Sequence, residues 1–258
     1  MTPLEAVVGV VVGVVAGILS GLFGIGGGTV MTPAIQALLG APPIVALATP
    51  LPAILPTAAA GAWTYRRGGQ LDARVAGWMV GPGIVGAVGG AALTEVVETH
   101  LLLIVTALLL AREAVRILRG ASRPQTDAAA SPGTRLELAG IGLAAGFVSG
   151  LLGIGGGIVM VPLLGGILHM PLKRALGTSL LAIVALVIPG TIVHAALDHI
   201  DWAIFSALTI GAVPGALLGA RLALGTRERT LRLLVGSFLL VIALGYGAVE
   251  VVHLLEAS

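Results

Sequence analysis

Residues 21–28 read GLFGIGGG and residues 150–157 read GLLGIGGG. Each stretch puts five glycines into eight positions in the middle of a long apolar run. A glycine cluster adds no hydrophobic area, frees the backbone to take positive φ and weakens a helix. Its use must therefore lie in the bare backbone, and two such places in one chain point to a duplicated architecture.

The duplication extends well beyond the glycines. Residues 16–33, AGILSGLFGIGGGTVMTP, match residues 145–162, AGFVSGLLGIGGGIVMVP, at 13 of 18 positions and an offset of 129. The same offset carries Pro42 onto Pro171, Ala46 onto Ala175, Leu47 onto Leu176, Thr49 onto Thr178 and Asp72 onto Asp201. It still holds where Gly86-Ala87 meets Gly215-Ala216 and Gly90-Ala91 meets Gly219-Ala220. Low-complexity similarity would not keep register over such a length. One unit is written twice.

Composition places that unit in a bilayer. Of 258 residues 57% are hydrophobic and 10% charged, with a mean hydropathy of +1.07; soluble domains carry about 25% charged residues. The chain reads as an all-α polytopic membrane protein with no separate soluble domain. Net charge +2 and 13 arginines among 14 cationic residues follow from short basic runs between apolar segments, which orient membrane proteins; nucleic acid is not expected as a partner. The absence of cysteine excludes disulfides and thiolate chemistry. The start, MTPLEAVVGVVVGVV, lacks a basic n-region and reads as a retained first helix.

Charge gives the relation between the halves. The loop near 66–74 carries Arg66, Arg67 and Arg74 against Asp72, whereas its counterpart DHID at 198–201 is acidic. The next loop reverses this: TEVVETH at 94–100 holds Glu95 and Glu98, and the region 221–232 holds Arg221, Arg227, Arg229 and Arg232 against Glu228. Equivalent loops of opposite bias face opposite sides, the mark of inverted-topology repeats. Inversion needs an odd net number of crossings per repeat. Full spans are expected near 44–64, 75–93 and 101–119, and near 173–196, 202–222 and 231–252. The segments 4–23 with 29–40, and 136–152 with 158–168, supply the rest. Twelve residues make a helix of about 18 Å against a core of about 30 Å, so 29–40 is read as a half-helix after a glycine break. Each repeat is a broken helix and half-helix followed by three spans. The organisation is 1–118, a linker at 119–135 and 136–258, with the arginine-flanked linker cytoplasmic and both termini outside.

A helix that starts again in mid-membrane presents unpaired N–H groups and the positive end of its dipole, which together favour anions. Gly26, Gly27, Gly28 and Thr29 in the first repeat, and Gly155, Gly156 and Gly157 in the second, are therefore the candidate substrate-binding residues. Thr49, Thr178 and Ser179 offer hydroxyls that either donate to an anion or bond back to the preceding turn. Gln36 is a site donor or a rim residue. The small-residue stretches at 81–92 and 211–220 read as close helix packing, within one protomer or equally in a homodimer. A dinucleotide loop is excluded because G-x-G-x-x-G is not matched at Gly24 and no strand precedes it.

GIGGGxxMxP in both halves and ALGTSL at 175–180 resemble the TauE/SafE sulfite exporter family of membrane permeases. The resemblance spans essentially the whole chain. It implies a secondary transporter, an exporter, of small sulfur-containing anions such as sulfite and organosulfonates, in the cell inner membrane, and it favours Thr178 and Ser179 as site residues. The alternatives are an anion channel and a carrier for another small oxyanion or carboxylate. One departure stands out: the first repeat has ALATPL at 46–51, with Pro50 where the second has Ser179, so the half-sites are not chemically identical. Elsewhere the chemistry is sparse. Lys173 and Arg174 read as interfacial anchors, Asp72 and Asp201 as helix N-caps, and His194 as an interfacial histidine or a proton carrier. No nucleophile–base pair, metal spacing or phosphate-binding loop is present. Neither an enzyme nor a cofactor is expected.

Overall fold

In a computed structural model of the chain, residues 2–93, 108, 111, 112, 114–119, 133–152 and 156–256 are described. Ten labelled helices run in the order α1 (Pro3–Phe23), α2 (Gly28–Leu39), α3 (Pro43–Ala48), α4 (Pro50–Arg67), α5 (Ala73–Leu93), α6 (Arg135–Leu152), α7 (Gly157–Ile167), α8 (Leu172–Ala196), α9 (Trp202–Gly225) and α10 (Glu228–Glu256). The described residues contain no strand. Among the described residues four stretches are long and apolar enough to cross a bilayer: Pro3–Phe23, Pro43–Arg67 (α3 with α4), Leu172–Ala196 and Trp202–Gly225. Residues 94–107, with Glu95 and Glu98, most of the linker, and Gly153 and Gly155 lie outside the described residues, and only the end of the expected 101–119 span is inside them.

Local chemistry sets the helix ends. Thr2 and Glu5 form a reciprocal capping box before α1, with Pro3 in its first turn, and Thr134 and Glu137 repeat it before α6; each box satisfies N–H groups that a helix start leaves open. Asp72 accepts from the N–H groups of Arg74 and Val75, and Asp201 from those of Ala203 and Ile204. Both aspartates are N-caps, as expected.

Helix pairing is swapped between the repeats. Cβ atoms added at Gly13, Gly17 and Gly21 of α1 would collide with the backbone carbonyls of Leu208, Ala212 and Ala216 on α9. Shifted by 129, Gly142, Gly146 and Gly150 of α6 would collide with those of Met79, Gly83 and Ala87 on α5. Each repeat's first helix lies parallel to the other repeat's penultimate helix. The equivalent helices α4 and α8 meet each other running antiparallel: Gly177 abuts Tyr65, Gly61 abuts Leu180 and Gly190 abuts Leu51.

With no hydrophobic drive between helices in lipid, small residues that let backbones approach supply the association. Accordingly α1 is inside-out: Gly13, Ala16, Gly17 and Gly21 are buried, while Leu4, Val7, Val11 and Val15 form an exposed stripe. The stretches 81–92 and 211–220 pack as the sequence indicates, with Gly83, Gly86, Gly211, Gly215 and Gly219 against neighbouring helix backbones. The main core draws Phe23, Ile54 and Tyr65 from one repeat and Met160, Leu176 and Ile183 from the other.

Replacing Gly17 or Gly146 by Ala should cost about 1–3 kcal/mol through overpacking at the crossing. Gly77→Ala, where a methyl group meets open space, should leave stability unchanged or raise it by up to about 1 kcal/mol. Thermal unfolding of the purified variants in one detergent checks the contrast.

Candidate functional site

The first glycine break forms as the sequence indicates. α1 ends at Gly24 (φ 68°), and Gly26 (φ 83°) and Gly27 (φ 92°) turn the chain so that α2 starts at Gly28. In the second repeat Gly156 (φ 71°) precedes α7, which starts at Gly157. A side chain at any of the four positive-φ positions would be strained. α2 and α7 are 12 and 11 residues long, about 18 and 16 Å at 1.5 Å per residue. Neither spans a hydrocarbon core of about 30 Å.

The start of α7 touches the first break. A Cβ added at Gly157 would lie 2.6 Å from the Gly24 carbonyl oxygen and 2.7 Å from the Ile25 Cα. One added at Gly26 would lie 3.1 Å from Ile183 and 3.2 Å from Ile54. The start of one half-helix thus rests on the break before the other, walled by one isoleucine from each repeat.

The carbonyl side of the first break is satisfied by protein. A helix end leaves its last carbonyls without partners. Here the Gly24 N–H donates to Ser20 O, the Tyr65 hydroxyl donates to Gly21 O at 2.9 Å, and the Ser179 hydroxyl lies 2.8 Å from Gly24 O and 2.9 Å from Leu176 O. The N–H side is treated differently. Val30 and Met31 donate back to Gly27 O, and Val159 and Met160 to Gly156 O, but no side chain caps either half-helix. Among the described residues no acceptor meets the Gly28 or Thr29 N–H. Three carbonyls at the end of α1, those of Ser20, Gly21 and Gly24, are thus covered, while the first N–H groups of α2 are left open, a combination suited to a negative ligand.

The remaining candidates separate. Thr49 Oγ1 accepts from Asp201 N at 3.1 Å and Thr178 Oγ1 from Asp72 N at 3.0 Å. These reciprocal ties, related by the same offset of 129, join the repeats where α9 and α5 begin. Ser179 shares its proton between two carbonyls and belongs to the break as a cap. Gln36 is exposed on α2, eight residues and about 12 Å beyond Gly28, and is not brought to the break. Lys173 donates to Leu224 O at 2.7 Å, Arg174 pairs with Asp72 at 2.8 Å, and His194 Nδ1 lies 3.1 Å from His199 Nδ1. All three act at helix ends. A cavity of about 380 Å³, lined in part by Glu5, Asp198, His199 and Asp201, lies at the Asp201 end of the molecule, away from the glycines.

Sequence reading missed Ser20. The residue is fully buried, its hydroxyl has no hydrogen-bond partner, and its Cβ lies 3.5 Å from where a Gly27 Cβ would sit. The buried Thr29 hydroxyl is also unpartnered. An unpaired buried hydroxyl costs about 1–3 kcal/mol. The signal was present, since serine recurs as Ser149, and a Cβ at Gly156 would lie 3.2 Å from Ser149 Cβ. Among the described residues no Asp, Glu, Lys or Arg is fully buried.

The sequence profile of the family described as sulfite exporter TauE/SafE matches residues 9–246. The chain belongs to the TauE/SafE family. Similar curated proteins include a probable membrane transporter protein of Xylella fastidiosa, 30% identical over 207 residues that cover 78% of both chains. The probable membrane transporter protein YunE of Bacillus subtilis is 29% identical over 245 residues, covering 86% of this chain and 89% of its own. The probable membrane transporter protein MamO of Magnetospirillum gryphiswaldense is 33% identical over 118 residues, 43% of this chain and 19% of its own. No solved structure matches. A membrane transporter agrees with the apolar helices, and the TauE/SafE family is a transporter family rather than an enzyme family.

Because Tyr65 and Ser179 cover carbonyls of the break, Tyr65→Phe and Ser179→Ala should each lower unfolding free energy by about 1–3 kcal/mol. Thr191→Val, which removes only a bond to the preceding turn at Val187 O, should change it by less than about 0.5 kcal/mol. Denaturant titration in detergent micelles distinguishes them.

Proposed function

We propose that this TauE/SafE protein is a secondary transporter of a small sulfur oxyanion, such as sulfite or an organosulfonate, held where the two glycine breaks meet. The observation that supports the reading is the contact of Gly157, the first residue of α7, with Gly24 and Ile25, which sets one uncapped half-helix N-terminus against the break that precedes the other. Each contributes a partial positive charge and open N–H donors. With no buried cationic side chain nearby, the site can hold a single anion and release it, which a carrier requires.

The two repeats work as inverted halves that rock around this place to expose it to one side and then the other. The antiparallel contact of the equivalent helices α4 and α8 and the swapped pairing of α1 with α9 and α6 with α5 support that reading. Cationic residues gather where α4 ends and α6, α8 and α10 begin: Arg66, Arg67, Arg135, Lys173, Arg174, Arg227, Arg229 and Arg232. This end is cytoplasmic by the positive-inside tendency, together with the linker 119–135, and both termini face outward from the inner membrane. Its basic field gathers anions from the cytoplasm, whereas the opposite end presents Glu5, Asp198 and Asp201 around its cavity. Export follows from that polarity.

Proteoliposomes preloaded with unlabelled sulfite should take up labelled sulfite by saturable counterflow. Sulfonates should compete, and chloride should not. Gly27→Leu and Gly156→Leu should abolish uptake, since leucine is strained at the positive φ of either site. Uncoupled current without counterflow would instead identify a channel, and no flux of any sulfur anion by folded protein would contradict the reading. Single cysteines in this cysteine-free chain should be labelled from outside at Asp198→Cys and from inside at Arg227→Cys.

A further inference from the structure

We propose that Ser20 is a substrate-binding residue that donates its hydroxyl proton to the transported anion, with Thr29 beside it and Ser149 taking the same part in the second repeat. The assignment rests on the anion-transport reading and adds side-chain donors to a site otherwise made of backbone.

Three features of Ser20 lead here. It is fully buried and its hydroxyl has no partner. It lies against Gly27, the N-cap of α2, where the helix dipole and the open Gly28 and Thr29 N–H groups act on the same space. It recurs as Ser149 against Gly156, the N-cap of α7. Among the described residues the other buried hydroxyls, Thr29 apart, have structural work: Thr49 and Thr178 hold Asp201 N and Asp72 N, Ser179 caps Gly24 O, Tyr65 donates to Gly21 O, and Thr57 and Thr64 donate to Ala53 O and Ala60 O of their own helix. Ser20 and Thr29 are the two buried hydroxyls without an acceptor among the described residues, and Ser20 lies against the N-cap of an uncapped half-helix, where the dipole is positive. A cation would be repelled from that position and a neutral ligand would gain nothing from the dipole.

The donors also indicate what class of anion fits. The first half-site offers two N–H groups and the hydroxyls of Ser20 and Thr29. The second has Ile158 at the position equivalent to Thr29 and so has one hydroxyl fewer. Directional donors spread over both halves suit an anion with several oxygens around one centre, a sulfite or a sulfonate headgroup, better than a halide.

The test uses the intact protein. Thermal unfolding in detergent with sulfite, methanesulfonate or chloride at equal ionic strength should show stabilisation by the two sulfur oxyanions. Ser20→Ala should raise the unfolding temperature without ligand, because an unpaired buried hydroxyl is removed. The same variant should weaken sulfite binding about tenfold, near 1.4 kcal/mol. A merely structural serine would not give these opposite signs. Stabilised wild type with unchanged affinity in Ser20→Ala would overturn the serine assignment and leave the transport reading standing, whereas wild type unaffected by every anion would sink both. As a measurement independent of substrate identity, Ser20→Cys and Ser149→Cys supply the sole thiol in their chains. Each should react with a sulfonate-bearing methanethiosulfonate reagent at least about tenfold faster than with its trimethylammonium analogue, after normalisation to a free thiol, and methanesulfonate should slow the anionic reaction. Thiols that stay unreactive, or show no preference for the anionic reagent, would overturn the proposal.

Discussion

An unpaired backbone group in hydrocarbon costs several kcal/mol, so a helix broken inside a bilayer survives only where something receives its open ends. The rest of this structure depends on how the first break meets that demand. Its carbonyls are received by Tyr65 from α4 and Ser179 from α8, one helix from each repeat. Its N–H groups are not received by any side chain. Protein thus neutralises the negative end of α1 and leaves the positive end of α2 available, which makes a structural defect into a place with a preferred sign of charge.

Holding such a break requires close and rigid neighbours. Glycine and alanine stripes bring α1 onto α9 and α6 onto α5 until carbonyls occupy the space of missing side chains. Those faces are spent inside the protomer. Farther out, Thr49 and Thr178 tie each repeat to the first residues of the other's penultimate helix. The ties are equal by offset, but the ends they close are not. At Asp72 the tie is reinforced by Arg174 and sits near the Lys173 bond to Leu224 O; at Asp201 it borders the acidic cavity. The two ends thus differ in the side chains around an otherwise equivalent tie.

Much of this could be read from the chain because glycine and register have few alternative meanings. Three consecutive glycines in an apolar run required positive φ, and Gly26 and Gly27 have it; a constant offset of 129 foretold which helices would correspond. Asp72 and Asp201 were legible as caps because each opens an apolar run after polar residues. The hydroxyls were not. Thr178 and Ser179 were favoured for the site on resemblance, yet their partners, Asp72 N and Gly24 O, lie 106 and 155 residues away, and no local pattern encodes such contacts. Gln36, read as a site donor or a rim residue, lies on the exposed face of α2; periodicity over a twelve-residue half-helix does not tell which face turns outward. Ser20 was hidden by its ordinariness, since serine on a small-residue face reads as packing until its burial without a partner is seen.

Under the proposed function, one anion is held between the two glycine breaks. Anomalous diffraction from crystals of the protein soaked with selenite, a heavier analogue of sulfite, tests it most directly. A single selenium peak is expected within hydrogen-bonding reach of the Gly28 and Gly157 N–H groups. A peak confined to the cavity beside Asp198 and Asp201, or none in crystals of protein active in sulfite counterflow, would contradict it.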